Sequence, residues 1–420
     1  MPIKQKWSAK YRNTPLPDSP IKRKPDIVLI DGDVDDEPIV TWRTVRAIAE
    51  ITSQCYEVGK LVGTVVDKSY IMLTTQFDRV FVPILSVWGR HRFRLTVTDR
   101  EGQLRSMVYE LSGVRPASVS LAFLRLVVGL CFTDNQCVGY DPTMITDKFG
   151  VVKSIKCKGN VYTVVRVVYE SQSFVGRATR VWVVKHNKKK FILKDTWVEK
   201  SRTVSEIEHL EHIKGMRGVP VYVCGEDVSI DGKVLCTGNI RGILLPTMRV
   251  RRRIVTSSIG HHISQFRTKR ELISAFKDVT VGVLNIFYLR FYTYFLVNPA
   301  LKELAEEKDT IHRDISYSNI LLLDPGVNEP NSDPGINEPN NDSGVDEPNH
   351  DGALRAGLLI DFEYAARMSN AYCKSPGLRT VRVLLFSFYS ALLIHLVGHV
   401  AIHGNRTAYL SRANIPQASS

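Results

Sequence analysis

The sequence predicts an α+β protein with two lobes, a β-rich lobe followed by a helical lobe, and a small α+β module in front of them. Three observations support this prediction. The chain has 420 residues, 44% hydrophobic and 24% charged, which is enough for two or three domains and too apolar for wholesale disorder. Three β-branched runs between residues 161 and 197 precede a helical pattern. Two later aliphatic runs lie next to clusters of polar side chains.

Charge and cysteine usage restrict the classes of partner and compartment. The formal net charge of +13 favours anionic partners such as nucleotide phosphates, nucleic acid or an acidic membrane surface. The seven cysteines are odd in number, scattered and without a Cys-x-x-Cys pair, which argues against a disulfide scaffold and a structural zinc site. The first residues lack the apolar core of a signal peptide. We therefore expect an intracellular protein, in the cytoplasm or the nucleus.

The first two segments of the chain differ in composition. Residues 1–38 are polar and rich in proline, which predicts a disordered arm. Residues 39–150 predict a small α+β module, because Val45–Cys55 has helical spacing and Val80–Trp88 is an apolar, β-like run. Ala117–Phe132 is apolar and long enough for a buried helix. No motif in this module carries chemistry.

Residues 151–262 predict the β-rich lobe and the connection that follows it. Val161–Glu170, Val181–Lys185 and Lys190–Trp197 have the composition of strands, the last two joined by a polar turn. Ser201–Ile213 then has the spacing of a helix with one apolar face.

Residues 263–380 predict a partial helical lobe that contains an inserted loop. Residues 324–350 repeat with a period of nine residues, as DPGVNEPNS, DPGINEPNN and DSGVDEPNH. Calcium-binding nonapeptides of β-helices require Gly-Gly-x-Gly-x-Asp. Proline and asparagine dominate here, so we expect a solvated surface loop.

Two apolar segments are composed unlike their flanks, as translated introns would be. One covers residues 283–300 and the other lies in an atypical tail, 381–420. Within that tail, Val383–Ile402 contains no Lys, Arg, Asp or Glu and is long enough to span a bilayer. A tail-anchored membrane protein is therefore an alternative to a fully intracellular one.

The strongest chemical signal is a His-Arg-Asp sequence followed five positions after its aspartate by an asparagine. Asp314 can accept or orient the proton of an attacking hydroxyl in phosphoryl transfer, and Asn319 can reach a Mg²⁺ ion held against nucleotide phosphates. The aliphatic run Leu358–Ile360 ends in Asp361, which can be a second Mg²⁺ ligand. The alternative interpretation, a polar turn between two buried strands, does not explain both motifs in this order.

The upstream lobe contains candidates to hold the phosphates. Lys194 lies on the third predicted strand and can pair with the α- and β-phosphates. Glu206, on the following helix, is the first candidate to form an ion pair with Lys194, and Glu208 is the second, because one sequence does not determine the helix face. Gly176 is the first of three glycines expected in a phosphate loop, and the other two are missing.

These segments resemble the fungal-type protein kinases, a divergent branch of the protein-kinase fold, over residues 42 to 380. The segments that carry the resemblance are His312-Arg313-Asp314-Ile315-Ser316, Asn319-Ile320-Leu321, Leu359-Ile360-Asp361-Phe362-Glu363-Tyr364-Ala365, Leu193-Lys194-Asp195, Phe93-Arg94-Leu95, Asp99-Arg100-Glu101-Gly102 and Gly139-Tyr140-Asp141-Pro142-Thr143.

The resemblance implies ATP- and Mg²⁺-dependent phosphorylation of a Ser or Thr hydroxyl on a protein substrate. In this interpretation Asp314 is the base, Asn319 and Asp361 are the Mg²⁺ ligands and Lys194 anchors the phosphates. The resemblance also implies a hinge at Thr256–Gly260, so the expected adenine contacts are Thr256, Ser257 and Ser258.

The sequence departs from the family pattern in several places, two of which bear on phosphate transfer. Ser316 stands where most Ser/Thr kinases have a lysine that neutralises the γ-phosphate, and no Gly-Thr-x-Pro-Phe-Met segment follows Thr380. We therefore expect a truncated second lobe and impaired transfer. A pseudokinase or scaffold that binds nucleotide without transfer is the first alternative, although all four catalytic-core residues (Lys194, Asp314, Asn319 and Asp361) are retained.

Two further alternatives remain. A small-molecule phosphotransferase of the same broad fold would typically contain His-Gly-Asp in place of His312-Arg313-Asp314. Nucleic-acid binding rests on the net charge and on Arg249–Arg253, but a basic run usually forms a solvated face and no recognition module accompanies it.

Overall fold

The computed structural model divides the chain into two compact units. Unit 1 comprises Met1–Ile259 with Pro325–Ala353, and unit 2 comprises Gly260–Asp324 with Leu354–Ser420. The structure describes residues 5–32, 40–55, 59–89, 91–112, 119–202, 204–216, 218–242, 248–275, 278, 310–312, 314, 316–323 and 354–367. The predicted repeat loop, the segment 283–300 and the apolar tail lie outside these ranges.

Seven strands form the first sheet of unit 1. They are β1 (Gln5–Ser8), β2 (Ile27–Asp31), β3 (Val45–Thr52), β4 (Val82–Trp88), β5 (Arg92–Asp99), β6 (Gly102–Arg105) and β7 (Tyr109–Glu110). The order is β1-β2-β3-β4-β5-β6, and β7 pairs with β5. Strands β3 and β4 run parallel, so a crossover must join them, and α1 (Gly59–Thr75) supplies it. The apolar face of α1 packs in the main core cluster of this sheet.

The prediction of a disordered arm over residues 1–38 is wrong for the described residues 5–32. Strands β1 and β2 belong to the sheet, with Trp7 opposite Leu29. Val28, Leu29 and Ile30 are buried. The aliphatic run that starts at Ile27 contributes to the core. The run is short and its flanks are polar and contain proline, so the composition of the whole segment indicated disorder.

Two helix predictions in this module need correction. Residues 45–52 form β3, which is buried on both faces as far as Glu50. A strand of that kind is apolar throughout, so its pattern resembles that of a helix. The apolar run 117–132 does contain a helix, α2 (Leu121–Phe132), but α2 buries Leu130 and leaves Leu121 and Phe132 exposed.

A second seven-stranded sheet completes unit 1. Its strands are β8 (Met144–Thr146), β9 (Val152–Cys157), β10 (Asn160–Glu170), β11 (Arg180–His186), β12 (Lys189–Glu199), β13 (Tyr222–Asp227) and β16 (Arg249–Thr256), in the order β13-β16-β12-β11-β10-β9-β8. The three predicted strands correspond to β10, β11 and β12. Asn187 and Lys188, both with positive φ, make the two-residue turn between β11 and β12.

Shorter elements connect the strands of the second sheet. The predicted helix at 201–213 is shorter than expected and forms α3 (Glu206–His212). After β13 the chain forms a small hairpin, β14 (Ser229–Ile230) and β15 (Lys233–Val234), followed by α4 (Thr237–Arg241). Strand β16 then returns between β12 and β13.

The predicted boundary near residue 150 falls inside unit 1. Strand β8 precedes that boundary and yet pairs with β9 in the second sheet. Buried ion pairs also join residues on the two sides of that boundary. Asp141 accepts hydrogen bonds from Arg251 Nη1 at 2.8 Å and from Arg253 Nη2 at 2.7 Å. The same two arginines bind Asp195 on β12 at 2.9 and 2.8 Å. The module and the β-rich lobe therefore share one charged core.

This network also corrects the interpretation of the basic run 249–253. Arg251 and Arg253 are almost completely buried and do not form a solvated face. Burial by itself would raise the pKa of Asp195, but Arg251 and Arg253 outweigh that effect and hold the pKa below its usual value. Asp195 is thus kept ionised between two cations.

We expect Asp141→Ala to destabilise the protein by about 3 kcal/mol or more, because it removes one of the two carboxylates that neutralise buried guanidinium groups. Thermal unfolding measures the effect as a fall of several degrees in melting temperature. Glu110→Gln is the control, since Glu110 pairs with Arg92 on the surface at 3.6 Å and such pairs contribute at most about 1 kcal/mol. Equal losses in the two variants would contradict the prediction.

Unit 2 contains two small sheets. Strands β17 (His261–His262), β19 (Ile320–Leu323) and β20 (Ala356–Leu359) form one, in the order β17-β19-β20, and β18 (Thr310–Ile311) pairs with β21 (Ala366–Arg367) in the other. Residues 269–275 are helical and lie close to β20, where a Cβ on Gly357 would collide with Ala275 O. Arg355 Nε also binds Glu271 Oε1 at 2.8 Å, and both side chains are buried.

The alternative of a membrane-spanning tail concerns residues 383–402, outside the described ranges. Among the helices that the structure describes, none combines the length and the hydropathy needed to cross a bilayer.

Candidate active site

A buried ion pair joins Lys194 on β12 to Glu206 on α3. Lys194 Nζ lies 2.9 Å from Glu206 Oε1 and 2.8 Å from Oε2. The two side chains are 14% and 4% exposed. Strand alternation places Leu193 in the apolar core of the second sheet and Lys194 on the opposite face. The predicted ion pair is therefore present, and it holds an ammonium group in one position.

The start of α3 decides between the two candidate glutamates. Ser205 Oγ accepts a hydrogen bond from Glu208 N at 3.2 Å, and Glu208 Oε2 accepts one from Ser205 N at 2.8 Å. This reciprocal arrangement is a capping box. Glu208 is thus used at the helix terminus, whereas Glu206 faces Lys194.

A glycine lets α3 approach the sheet closely enough for this pairing. A Cβ on Gly225 of β13 would lie 2.9 Å from Ile207 Cγ1. Real Cβ atoms essentially never come that close, so any other residue at 225 would force Ile207, on the helix that carries Glu206, to shift.

The predicted hinge residues lie at the end of β16, next to the last residue of unit 1. Thr256 is the final residue of that strand. Ser257 N donates to Val221 O at 3.0 Å, and Ser258 Oγ accepts from Val221 N at 2.9 Å. The boundary between the units follows Ile259. The adenine contacts themselves stay a prediction.

Gly176 lies in the loop between β10 and β11, hereafter the β10–β11 loop (residues 171–179). Its φ of 91° is in the left-handed region that favours glycine. Its N–H donates to Arg100 O at 2.8 Å. Its role in binding phosphate stays a prediction.

In unit 2, a buried histidine anchors the segment that carries Asp314. His312 Nε2 lies 3.0 Å from Ile360 O, and Asp314 N donates to His312 Nδ1 at 3.3 Å. Because Nδ1 accepts, Nε2 carries the proton and donates to the carbonyl. The ring of Phe362 packs edge-on against His312, with centroids 4.6 Å apart. His312 therefore ties the backbone near Asp314 to the segment around Asp361.

Asn319 lies directly beside Asp314. Its Nδ2 donates to Asp314 O at 2.9 Å and lies 3.4 Å from Asp314 Oδ2. These bonds use the amide hydrogens, so Oδ1 is the atom of Asn319 that can bind a cation. Ile360 N donates to Asn319 O at 2.9 Å, which brings the residue before Asp361 next to Asn319.

Asp361 has an unusual backbone conformation. Its φ of 64° and ψ of 70° are left-handed, a conformation that aspartate adopts more readily than most residues. Phe362, which follows it, is fully buried. Strained positions of this kind concentrate at functional sites.

The donors at Asn319 and Asp361 fit a magnesium ion. Among the described residues, no group of three or more His, Cys, Asp or Glu side chains could hold a metal. Magnesium at phosphoryl-transfer sites needs fewer protein ligands, because substrate phosphates and water complete its octahedron. One carboxylate and one amide oxygen therefore suffice, and both are the hard oxygen donors that Mg²⁺ prefers.

Sequence reasoning missed the buried charges next to Lys194. Asp195, the adjacent residue, holds Arg251 and Arg253 and so fixes β12 to β16. The spacing of the two arginines was an available signal, because residues two apart on a strand share a face. When two arginines share one face of a buried strand, their charges are removed from water and need carboxylate partners.

The comparisons with known proteins place the chain in a family. The family model described as fungal protein kinase matches residues 24–248 and 297–386. Two solved kinase domains were also found. One is described as PF14_0431, with 12% identity, a TM-score of 0.27 and coverage of 55% of this chain and 57% of its own. The other is BubR1, with 14% identity, a TM-score of 0.24 and coverage of 51% and 50%.

The chain thus spans about half the length of these solved structures. No curated protein matches it. The family match covers most of the chain and includes the segments around Lys194, Asp314, Asn319 and Asp361. The chain therefore belongs to the fungal protein kinase family and has a protein-kinase-like fold.

Proposed function

We propose that this protein is an ATP- and Mg²⁺-dependent kinase that transfers the γ-phosphate to a Ser or Thr hydroxyl of a protein substrate. The ion pair between Lys194 and Glu206 is the observation that carries the proposal. In protein kinases, a strand lysine and a helix glutamate must pair before the nucleotide phosphates are held correctly. A buried pair of this geometry on β12 and α3 has no structural advantage over two apolar side chains.

The proposed roles of the other residues follow from their atoms. Asp314 accepts or orients the proton of the acceptor hydroxyl, and Asn319 holds Asp314 in place through its amide hydrogens. Asp361 and Asn319 Oδ1 would hold Mg²⁺, which when bound neutralises charge on the phosphate oxygens. Thr256, Ser257 and Ser258 would contact the adenine, and Gly176 would contact the phosphates.

We further propose an intracellular location, since the six cysteines within the described residues are free thiols.

Both alternatives predict that no protein is labelled. A pseudokinase binds nucleotide but transfers nothing, and a small-molecule phosphotransferase labels no protein. Incubation of the full chain with γ-labelled ATP and a mixture of basic proteins therefore distinguishes the proposed kinase from both. Phosphoamino-acid analysis of the labelled band then tests the Ser/Thr assignment.

We expect Mg-ATP to stabilise the full chain against heat. A ligand present at about 100 times its Kd stabilises the native state by about 2.7 kcal/mol, which corresponds to a rise of several degrees in melting temperature. Omission of Mg²⁺ or the substitution Lys194→Met should reduce the shift. If saturating Mg-ATP leaves the melting temperature unchanged, the proposed nucleotide site is wrong.

A further inference from the structure

The β10–β11 loop is fastened to the first sheet of unit 1 by an aromatic side chain. Phe174 packs against the core cluster of that sheet. Its ring lies edge-on to Tyr70 of α1, with centroids 5.6 Å apart and planes at 88°. An aromatic pair of this geometry stabilises the contact beyond the burial of its surface.

Arg100 fastens the same loop by two hydrogen bonds. Its Nη1 donates to Phe174 O at 3.0 Å, and its carbonyl accepts from Gly176 N at 2.8 Å. Arg100 is itself buried, and its Nη2 donates to Leu73 O at 3.3 Å. Arg180, where the loop enters β11, donates to the same Leu73 oxygen at 2.8 Å. Residues that precede position 150 thus hold the loop at its middle and at its end.

The last part of the loop packs against β12. Arg177 O accepts a hydrogen bond from Trp197 N at 2.8 Å. Ala178 is buried in a cluster with Val80 and Trp197. Its φ of 41° is left-handed, a conformation that is unfavourable for alanine. Such a conformation persists only where the surroundings determine it.

These contacts order a loop that lacks two of the glycines expected in it. In protein kinases the loop at this position is rich in glycine and covers the phosphates. In this chain the loop keeps Gly176, and packing against the first sheet fixes its shape. A loop that is already ordered loses less conformational entropy when a ligand binds.

We infer that the first sheet and its helix α1 act as a built-in support for the nucleotide-binding loop, with Phe174, Tyr70 and Arg100 as positioning residues for ATP. The inference rests on the proposed function and goes beyond it, because it gives the module before residue 150 a role in nucleotide affinity. These residues act through the loop backbone and not on the reacting atoms. Their loss should therefore raise KM for ATP more than it lowers kcat.

The test compares Phe174→Ala with Phe149→Ala in the full chain. Phe149 is 41% exposed and lies outside the loop, so it is a matched control. Coupling of this kind typically changes affinity by 5-fold or more, and we expect Phe174→Ala to raise the Kd and the KM for Mg-ATP by about 10-fold. The control should bind as the wild type does. Unchanged or tighter binding by Phe174→Ala would overturn the inference.

A double-mutant cycle tests whether the contact itself is responsible. Tyr70→Ala removes the other half of the aromatic pair. If the pair sets the position of the loop, Tyr70→Ala should also weaken Mg-ATP binding, and the double variant should bind no more weakly than Phe174→Ala. Additive effects would show that the two side chains act separately, and would overturn the inference.

Hydrogen exchange provides a measurement that does not depend on nucleotide. Phe174→Ala should increase the exchange of amides 171–179 while leaving β12 protected, and unchanged exchange in the loop would overturn the inference. The outcomes also separate the inference from the proposed function. If the wild type fails to bind Mg-ATP, the proposed function fails. If the wild type binds and Phe174→Ala behaves like the control, the inference alone fails.

Discussion

Lys194→Met should lower kcat/KM for ATP-dependent transfer by at least about 100-fold, because the variant loses the cation that we propose anchors the phosphates. The side chain of Lys194 is fixed by both oxygens of Glu206. Glu206→Gln should cause a similar loss, since it removes the charge that holds the ammonium group in position. Steady-state kinetics with labelled ATP measures both effects.

The stability of these variants must be separated from their activity. Removal of one partner from a buried ion pair leaves an uncompensated charge, which costs about 3–5 kcal/mol. The double variant Lys194→Met/Glu206→Gln removes both charges and should recover most of that stability. It should stay inactive. Recovery of activity along with stability would mean that the pair is structural only.

Glu208→Gln is a control on the same helix. Gln can still accept the hydrogen bond from Ser205 N, so the variant loses only the interaction of the Glu208 charge with the helix N-terminus, about 0.3–1 kcal/mol. The Glu208 carboxylate is engaged by Ser205 N at 2.8 Å, so kcat/KM should stay within about 2-fold of the wild type. A loss as large as that of Glu206→Gln would contradict the assignment of Glu206.

Asp314→Asn should lower kcat by about 10²–10⁴-fold, the usual contribution of a positioned acid or base. The amide keeps the size of the carboxylate but cannot accept the proton of the acceptor hydroxyl. The affinity for Mg-ATP should stay close to that of the wild type, because Asp314 is not a proposed phosphate or metal ligand. Kinetics and thermal stabilisation by Mg-ATP measure the two effects independently.

Asp361→Asn should have a different signature. A neutral amide is a poorer ligand for Mg²⁺ than a carboxylate, so the variant should require more Mg²⁺ and should lose most of the Mg²⁺-dependent stabilisation by ATP. If Asp314→Asn and Asp361→Asn show the same dependence on Mg²⁺, the division of roles between base and metal ligand is wrong.

The sequence by itself determined those features whose residues are close together in the chain. His312, Asp314 and Asn319 are close in sequence, and their hydrogen bonds form within one segment. The hairpin of β11 and β12 was equally local, since its turn contains the two residues Asn187 and Lys188. Local contacts of this kind follow from residue type and spacing.

The different roles of the two glutamates of α3 also follow from the sequence alone. Ser205 and Glu208 have the spacing of a capping box, Ser-x-x-Glu, which assigns Glu208 to the helix terminus. That assignment would have left Glu206 as the partner of Lys194 without any knowledge of the helix face.

Only the tertiary structure decided the features that join distant segments. Asp141 meets Arg251 across 110 positions. Phe174 meets Tyr70 across a comparable distance in the chain. A buried strand such as β3 also lacks the alternation that would distinguish it from a helix. Periodicity and propensity describe a residue and its near neighbours. The burial of a charge or of an aromatic ring depends instead on which distant residue lies against it. The packing of the whole unit decides which residue that is.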